Sequence, residues 1–426
     1  MQKSNIINFF LLLAIMFIII GIFACKKKDH SDDPVYSLVL GAILPLDQTK
    51  GVLRKNSLRT AIDQINSSGG VGNGYFINLI IMSSEGADRK TVAAEAAKQI
   101  IAQNDNVIGF VTAFSSSTTG IVEQVSIPDH YPCISGSATS NTLSGISPYF
   151  HRLCPPDGFE ATVLSDRTNL YGINSVAIAV EEGDAYSEDL AVEYEAAFGA
   201  GVLNVINFNA GDLDYLDKIN QLISGNPEGL FVSMLNPAAY IKFFDNLSQV
   251  NTTFILSDGL YSDDFFQADI NQILGEIDGH TKNFGAFPSA DTASDSYIYF
   301  QNALWQKYNH EVASYNPQFY DLGYIYAMAI EKALLEVGTD NMQALREKIN
   351  DYIRVVSHDN PGDSEVNPTQ GWQSIQNACQ TGGVDYTGAS GNCNIDNEGN
   401  VITAYSIFKV IKPGNDYKFE IIEVIH

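Results

Sequence analysis

The sequence predicts an α/β protein whose chain forms two lobes, each built on a doubly wound parallel sheet. Between Tyr36 and Ser144, short apolar runs alternate with stretches that carry apolar residues at helical spacing. Such strict alternation is typical of a parallel sheet covered by helices on both faces. The alternation starts again at Ser175, and two successive series favour two lobes over one large sheet. With 426 residues, the chain is long enough for two or three domains with real cores.

The first series opens with the strand Tyr36–Leu44, an apolar run of the kind buried in parallel sheets. The helix Leu53–Ser67 follows, with Leu58, Ile62 and Ile65 at helical spacing, and it ends in a Ser-Ser-Gly-Gly stop. The remaining predicted elements of this series are the strands Phe76–Met82, Val107–Val111 and Tyr131–Ser135 and the Ala-rich helix Asp88–Gln103.

The second series has the same alternation and ends in a hairpin. Its predicted strands are Ser175–Val180, Val202–Phe208, Gly229–Met234 and Thr253–Ser257. The predicted helices between them are Asp184–Phe198, Asp214–Ser224 and Ala238–Val250. A strand at Phe284–Phe287 and the helices Ser294–Tyr308 and Phe319–Val337 follow. The alternating runs Ala404–Ile411 and Tyr417–Ile425, separated by a Lys-Pro-Gly-Asn turn, predict the hairpin.

The composition is that of a globular protein, with 45% hydrophobic and 17% charged residues. Its 50 acidic side chains outnumber the 24 lysines and arginines, which gives a formal charge of −26. We expect no nucleic-acid partner, because phosphate binding requires clustered cations. A small-molecule partner is therefore expected in place of a nucleic acid.

Motifs for catalysis and cofactor binding are absent from the sequence. It contains no GxSxG, HExxH or CxxC and no phosphate-binding GxxxxGK[ST]. The glycine-rich stretch at residues 69–74 precedes a strand, which indicates a turn and not a dinucleotide-binding loop. The seven histidines are scattered singly. We therefore expect no cofactor, no metal site and no enzymatic activity.

The N-terminus has the pattern of an export signal. Lys3 precedes the apolar run Phe9–Phe23, and a small residue stands directly before Cys25. We interpret residues 1–24 as a lipoprotein signal peptide, Cys25 as the lipidated residue and residues 25–36 as a tether. The alternative is an uncleaved membrane anchor. The lipoprotein interpretation predicts a periplasmic or cell-surface location on a bacterial membrane, with membrane contact through the lipid only.

Four further cysteines remain in a chain that we expect to be exported, where disulfides persist. Cys379 and Cys393 enclose a glycine-rich loop, so we predict a disulfide between them. Whether Cys133 and Cys154 are bonded stays open, because free cysteines are common in protein cores.

Polar residues follow four of the predicted strands. These strand ends carry Ser115 to Thr118, Ser135 to Thr139, Glu181 to Tyr186, and Asp258 with Gly259. Each is by itself a loop feature, and a serine cluster is also typical of a helix N-terminus. Ligands of open α/β sheets bind beyond the carboxyl ends of strands. Hydroxyl and backbone N–H groups bind a carboxylate and an acid binds an ammonium group, so together they predict an α-amino acid site.

Several segments, in order, resemble the leucine/isoleucine/valine-binding family of periplasmic solute-binding proteins. They are LVLGAILPL, AIDQINSSGGVGN, AFSSSTT, ISGSATSNTLS, YFHRLCPPD, YDLGYIYAMAIEKA and GASGNCNIDNEGNV. The resemblance implies the type I periplasmic binding protein fold, in which two lobes are joined by a three-strand hinge and close on a ligand. It also implies that the protein delivers this ligand to an ABC importer. It implies a first lobe of residues 37–154 and 284–400, and a second of residues 155–283 and 401–426.

The resemblance also implies roles for individual residues. Ser115 corresponds to the serine that binds the ligand carboxylate, and Asp258 corresponds to the acid that binds the ammonium group. Tyr186 matches a tyrosine of the second lobe, although it is alternatively a packing residue, and Asp258 is alternatively a turn former before Gly259. The predicted ligand-binding set is Lys50, Ser115, Ser116, Ser137, Ala138, Thr139, Tyr186, Asn236 and Asp258.

The chain departs from the family pattern at three places. The early loop Pro45–Arg54 contains Lys50 and lacks the usual aromatic residue, Asn236 stands where relatives often have a tyrosine, and Ser57 replaces a usual glycine. These departures predict a side-chain pocket unlike that of a leucine binder. Lys50 beside the ligand favours an acidic or polar side chain; the alternative is an exposed lysine.

The function that these observations predict is capture of a small molecule without covalent chemistry. We expect a lipid-anchored solute-binding protein that closes on a branched-chain or other amino acid, or a related small amide. Its expected partners are the ligand and the permease subunits of an ABC importer. The alternative is a ligand sensor on the same fold that does not transport.

Overall fold

A computed structural model describes residues 36–247, 252–267 and 283–425. The elements from Ser37 onward belong to one unit that contains two sheets of five and seven strands. The predicted α/β class, with two parallel-sheet lobes, is confirmed. The predicted signal peptide, Cys25, the tether up to residue 35 and the end of the helix predicted at Ala238–Val250 lie outside the described residues.

The first sheet is fully parallel, with the strand order β2-β1-β3-β4-β5. Its strands are β1 (Ser37–Leu44), β2 (Phe76–Ser83), β3 (Val107–Thr112), β4 (Cys133–Ser135) and β5 (Phe150–Arg152). The helices between them are α1 (Thr49–Ser67), α2 (Arg89–Gln103) and α3 (Ser115–Ile121). α3 continues through a π-helical turn, Val122–Ser126, and a last turn that ends at His130 in the left-handed conformation.

Helix α1 begins at Thr49, four residues before the predicted start, so more than half of the predicted loop Pro45–Arg54 is helical. Gly51 permits this early start, because a Cβ there would lie 1.9 Å from the carbonyl oxygen of Pro45. The chain therefore turns into the helix directly behind β1. Lys50 is placed on the first helical turn.

The second sheet has the order β15-β14-β10-β9-β8-β6-β7. The remaining strands of the chain are β6 (Val176–Glu181), β7 (Val202–Phe208), β8 (Gly229–Ser233), β9 (Thr253–Leu256), β10 (Phe284–Pro288), β11 (Ser364–Val366), β12 (Val384–Gly388), β13 (Gly391–Asn392), β14 (Tyr405–Ile411) and β15 (Lys418–Ile425). The hairpin β14–β15 pairs antiparallel to β10 and the other pairs of the seven are parallel. Strands β11 to β13 form a small separate sheet.

Eight further helices complete the described part of the chain. They are α4 (Asp157–Leu170), α5 (Ala185–Phe198), α6 (Leu216–Leu222), α7 (Pro237–Asn246), α8 (Asp295–Tyr308), α9 (Asn316–Val337), α10 (Met342–Val355) and α11 (Trp372–Thr381). Helices α10 and α11 were not anticipated from the sequence. Helix α9 is buried along most of its length and packs against α1, α10 and α11.

The chain passes between the two sheets three times, after β5, after β10 and between β13 and β14. This agrees with a hinge of three strands. One boundary is corrected: the strand at 284–288 was assigned to the first lobe, but Phe284 pairs with Ile255 of β9 and Gly285 with Phe408 of β14. Strand β10 therefore lies in the second sheet, and the second passage follows Pro288.

The start of α9 is fixed against α1 and against the turn after β12. Asn316 donates a hydrogen bond from Nδ2 to the carbonyl oxygen of Leu53 and another to the hydroxyl of Ser57. Asp321, also buried, accepts hydrogen bonds from the backbone N–H and hydroxyl groups of Ser390. These bonds hold the residue before the helix, Tyr315, at a defined place beside α1.

The predicted disulfide between Cys379 and Cys393 is wrong, because both residues are buried free thiols. Cys379 lies on α11, whereas the Cys393 Sγ contacts the carbonyl oxygen of Gly391 in β13. Burial raises the pKa of both thiols, for Cys379 to about 12. Cys133 and Cys154 are likewise free and buried, so the four cysteines serve as small apolar core residues.

Candidate functional site

A small cavity lies between the carboxyl ends of the strands of the two sheets, as expected for open α/β sheets. It is lined by Lys50, Arg54, Phe114, Ser115, Ser137, Thr139, Tyr186, Leu235, Asp258, Gly259, Tyr261, Ser314 and Tyr315. Its volume is only about 20 Å³, which is room for about one water molecule. An amino acid enters only if the lobes part or the lining side chains move.

Lys50 is 8% exposed, so the alternative of an exposed lysine is wrong. Its ammonium group donates a hydrogen bond of 3.0 Å to the carbonyl oxygen of Leu235 on the opposite lobe. The same group lies 5.3 Å from the centre of the Phe114 ring. Burial is the main cause that lowers the pKa of Lys50 to about 7. Lys50 is therefore a cation of the cleft that titrates close to neutral pH.

Arg54 lies one turn further along α1 and is 3% exposed. Its guanidinium carbon is 5.3 Å from the ring centre of Phe114, 5.2 Å from that of Tyr315 and 5.7 Å from that of Phe319. Within the described part of the chain, its Nε and Nη1 atoms have no hydrogen-bond partner. Burial lowers its pKa to about 10, so the guanidinium stays charged at neutral pH.

The serines at the end of β3 form the first turn of α3, and the N-cap residue is Phe114, whose side chain makes no capping bond. The hydroxyl of Ser115 accepts a hydrogen bond of 3.1 Å from the N–H of Ser140. The hydroxyl of Ser137 donates to the carbonyl oxygen of Ala113 at 3.1 Å. The predicted serines thus line the cavity and also tie α3 to the loop that follows β4.

Arg152 holds that loop, residues 136–144, from inside the protein. Its Nη1 donates to the carbonyl oxygens of Ala138 and Ser140 at 2.9 and 2.8 Å. Its Nε donates to Asn400 at 2.7 Å, and its Nη2 donates to the hydroxyl of Ser144 at 2.6 Å. Because these acceptors are uncharged, Arg152 acts as a buried scaffold for the loop.

Asp258 lies opposite the two cations and is 6% exposed. One of its carboxylate oxygens accepts a hydrogen bond from the hydroxyl of Tyr186 and the other accepts from Tyr315. Burial raises the pKa of both tyrosines well above the usual value, so both phenols are neutral donors. Gly259 permits this arrangement, since a Cβ there would lie 2.4 Å from the carbonyl oxygen of Met234.

Two further acids lie behind Asp258 at the start of α4. Glu160 accepts a hydrogen bond of 2.9 Å from the N–H of Asp258, and the N–H of Asp157 donates to the carbonyl oxygen of Thr139 at 2.7 Å. Both are fully buried, and burial raises their pKa values well above the usual range. Together with Asp258 they form a group of three buried acids on the second-lobe side of the cavity.

Several contacts join the lobes around the cavity. Besides the bond from Lys50, Arg89 of the first lobe forms an ion pair with Asp184 of the second at 3.3 Å. The hydroxyl of Ser116 accepts a hydrogen bond of 3.4 Å from the N–H of Ala185. The described conformation is thus one in which the lobes touch across the cleft.

A family model described as the receptor family ligand binding region matches residues 53–412. This chain belongs to that family. Its match extends from within α1 to the end of β14 and includes the residues that line the cleft from Arg54 onward. The type I periplasmic binding fold that the sequence resemblance implied is confirmed.

Solved structures of solute-binding proteins share the fold of this family member. A leucine-binding protein from Thermotoga maritima is 18% identical with a TM-score of 0.69, and the match covers 91% of this chain and 98% of that one. A branched-chain amino acid binding protein from Streptococcus pneumoniae, in complex with isoleucine, is 16% identical with a TM-score of 0.69, over 91% and 100%. A solute-binding protein from R. palustris, in complex with benzoate, is 16% identical with a TM-score of 0.66, over 91% and 96%.

Curated relatives include two plant receptors. Glutamate receptor 3.4 of Arabidopsis thaliana is 25% identical over 221 residues, which are 49% of this chain and 22% of that receptor. Glutamate receptor 3.7 of the same organism is 25% identical over 151 residues, which are 35% of this chain and 15% of that receptor. The match therefore spans about a fifth or less of the length of these relatives.

The structure brings six of the nine predicted ligand-binding residues to the cavity. The other three have different contacts. The hydroxyl of Ser116 bonds across to the second lobe, and the carbonyl group of Ala138 accepts from Arg152. Asn236 caps α7 through a bond from the N–H of Ala238, while its own N–H donates to Glu181.

Arg54, Phe114 and Tyr315 line the cavity but were not predicted. A signal for Arg54 was available, because residues 50, 54, 58 and 62 recur every four positions and so share one face of a helix. Leu58 and Ile62 mark that face as buried. Two basic residues on the same helix face as buried apolar residues indicate a buried site that contains charged groups.

Membrane-spanning helices and metal-ligand clusters are both absent from the described residues. No helix there is both long enough and apolar enough to cross a membrane. No group of three His, Cys, Asp or Glu residues in the same ranges has the arrangement of a metal site.

Proposed function

We propose that this protein is an extracytoplasmic solute-binding protein that captures an amino acid, or a related small amide, between its two lobes. The observation that carries the proposal is that basic side chains of one lobe face an acidic side chain of the other across the cleft. Lys50 and Arg54 lie on the first lobe and the carboxyl group of Asp258 on the second, all three buried. A zwitterionic solute has the complementary arrangement of charges.

In the proposed mode of binding, the carboxylate lies on Ser115 and the loop from Ser137 to Thr139, and the ammonium group lies on Asp258. Tyr186 reaches the solute from the second lobe when the lobes close. The bound amino acids and benzoate of the related solved structures support a small carboxylate solute. No covalent step is part of this function, so the protein is not an enzyme.

The proposal includes delivery of the solute to the permease subunits of an ABC importer. It also includes a lipid on Cys25, which holds the protein at the periplasmic or cell-surface side of the membrane. The related solved structures of ABC-transporter binding proteins support the first point. A second candidate, a sensor that binds without transport, is favoured by the receptor description of the family and by the similarity to plant receptors.

A binding screen tests the proposed capture of an amino acid. Thermal shift with amino acids and small amides identifies the solute, since a ligand at 100 times its Kd adds about 2.7 kcal/mol of stability. Calorimetry with Asp258→Ala is then expected to show affinity at least ~30-fold weaker, because loss of one partner of a buried charged pair costs about 2–5 kcal/mol. The matched control is Asp263→Ala, a neighbouring exposed acid. Equal affinity of Asp258→Ala and the parent would exclude the ammonium assignment.

A further inference from the structure

We propose that Arg54 binds an anionic group of the solute in addition to the carboxylate held by the serine loop. The protein would then select acidic amino acids, or related dicarboxylates, over their neutral amides. This inference rests on the proposed solute-binding function and deepens it by naming the class of solute.

The first observation is that Arg54 is buried without an acceptor. The side chain is 3% exposed, and its Nε and Nη1 atoms bond to none of the described residues. A buried charge is costly unless it is paired and hydrogen-bonded. An anionic group of the bound solute supplies the missing acceptor, and this explains why the guanidinium of Arg54 is buried without a partner among the described residues.

The second observation is that Asp258, the acid that lines the cavity with Arg54, is already engaged. Both of its oxygens accept hydrogen bonds from tyrosine hydroxyl groups. Asp258 forms no hydrogen bond to Arg54, which leaves the guanidinium N–H groups for a solute.

The third observation is the way the aromatic rings orient Arg54. Phe114, Tyr315 and Phe319 surround the guanidinium carbon at 5.2 to 5.7 Å. Such ring contacts stabilise a cation without using its N–H groups. A guanidinium with free N–H groups binds a carboxylate through two parallel hydrogen bonds. Lys50, one turn earlier on the same helix face, contacts the same Phe114 ring.

The test uses solute pairs that differ in one charge and little in shape. The full chain is titrated calorimetrically with L-glutamate and L-glutamine, with L-aspartate and L-asparagine, and with succinate and succinamate. The parent is expected to bind the more anionic member of a pair at least ~30-fold more tightly. In Arg54→Gln this preference is expected to fall to within about threefold, while affinity for the neutral member is retained. Arg59→Gln, an exposed position on the same helix, is the matched control and keeps the preference.

Three outcomes separate this inference from the proposed function. Equal binding of glutamate and glutamine, with both lost in Asp258→Ala, would overturn the role of Arg54 and leave the proposed function standing. Retention of the full anionic preference in Arg54→Gln would also overturn it. Failure of the parent to bind any amino acid or carboxylate would overturn both. Arg54→Lys, which keeps the charge, is expected to keep part of the preference, and this distinguishes loss of the anion contact from misfolding.

Discussion

At the scale of single residues, two cations on the first turns of α1 dominate the cleft. Lys50 bonds to a backbone carbonyl group of the other lobe, and Arg54 lies among three aromatic rings. Burial depresses the pKa of each side chain, to about 7 and about 10 respectively. A folded state that holds such depressed bases is less stable at low pH, so stability measurements report on the site directly.

We expect Lys50→Met to stabilise the protein more at pH 6 than at pH 9. Between pH 7 and 10.5 the unfolded lysine keeps a proton that the folded one releases. The free energy of unfolding of the parent therefore rises with pH, by up to about 1.4 kcal/mol per pH unit. Below pH 7 both states are protonated and the cost of the buried charge is fully present. Lys50→Met removes this cost and its pH dependence.

Urea denaturation of the parent and of Lys50→Met at pH 6, 7, 8 and 9 measures the effect. Lys55→Met, on the same helix and only half-buried, is the matched control and is expected to show no such trend. A constant difference between Lys50→Met and the parent over this range would contradict the burial of a titrating lysine.

Sequence reasoning found the polar residues at strand ends and missed Arg54 and Tyr315. Ser115, Thr139 and Asp258 follow apolar runs, and the carboxyl ends of parallel strands meet at one edge, so their convergence was predictable. Tyr315 was not predictable, because it reaches the cleft through a left-handed backbone conformation (φ 63°) before α9. Arg54 was missed because it stands at the boundary between the predicted loop and the predicted helix Leu53–Ser67, and no strand end precedes it.

At the scale of elements, the loop at 136–144 connects the core to the site. Arg152 supplies four hydrogen bonds to this loop and to Asn400, and the loop presents Ser137 and Thr139 to the cavity. The positions of these two hydroxyl groups therefore depend on a side chain that does not line the cavity.

We expect Arg152→Met to destabilise the fold by about 2–4 kcal/mol, since the buried carbonyl groups of Ala138 and Ser140 lose their donor. Solute affinity should fall as well, because the loop loses its fixed position. Chemical denaturation and calorimetry of Arg152→Met measure the two effects, and Arg59→Met, a substitution of an exposed arginine, is the control. Unchanged stability together with unchanged affinity would show that the loop is held by other contacts.

Element boundaries and covalent links were the least predictable features. Helix α1 begins early because Gly51 packs on a backbone carbonyl group, a tertiary contact that no local pattern reveals. Strand β10 joins the second sheet because its neighbours are β9 and β14, and pairing between distant segments is not encoded in a single apolar run. Cys379 and Cys393, which enclose the glycine-rich loop, are not bonded to each other because each is buried separately in the core.

At the scale of the whole molecule, the chain passes between the lobes three times, and several contacts across the cleft define the closed form. Lys50, Ser116 and Arg89 of the first lobe each contact a residue of the second. The cavity of about 20 Å³ in this form is smaller than an amino acid requires. Capture therefore demands that these contacts open to admit the solute and that the lobes close again around it.

A reversible cross-link across the cleft tests the central claim, capture of a solute by closure, most directly. The double variant Ser116→Cys/Ala185→Cys places cysteines at two positions that contact each other between the lobes. The four described native cysteines are buried and their raised pKa values make them poor competitors for oxidation.

The measurement is the dissociation rate of radiolabelled solute from the oxidised double variant, with the reduced form and Ser116→Cys alone as controls. If the solute lies between the lobes, oxidation after loading traps it and slows dissociation at least ~100-fold, and oxidation before loading prevents binding. Solute that leaves the oxidised and reduced proteins at the same rate would contradict capture between the lobes.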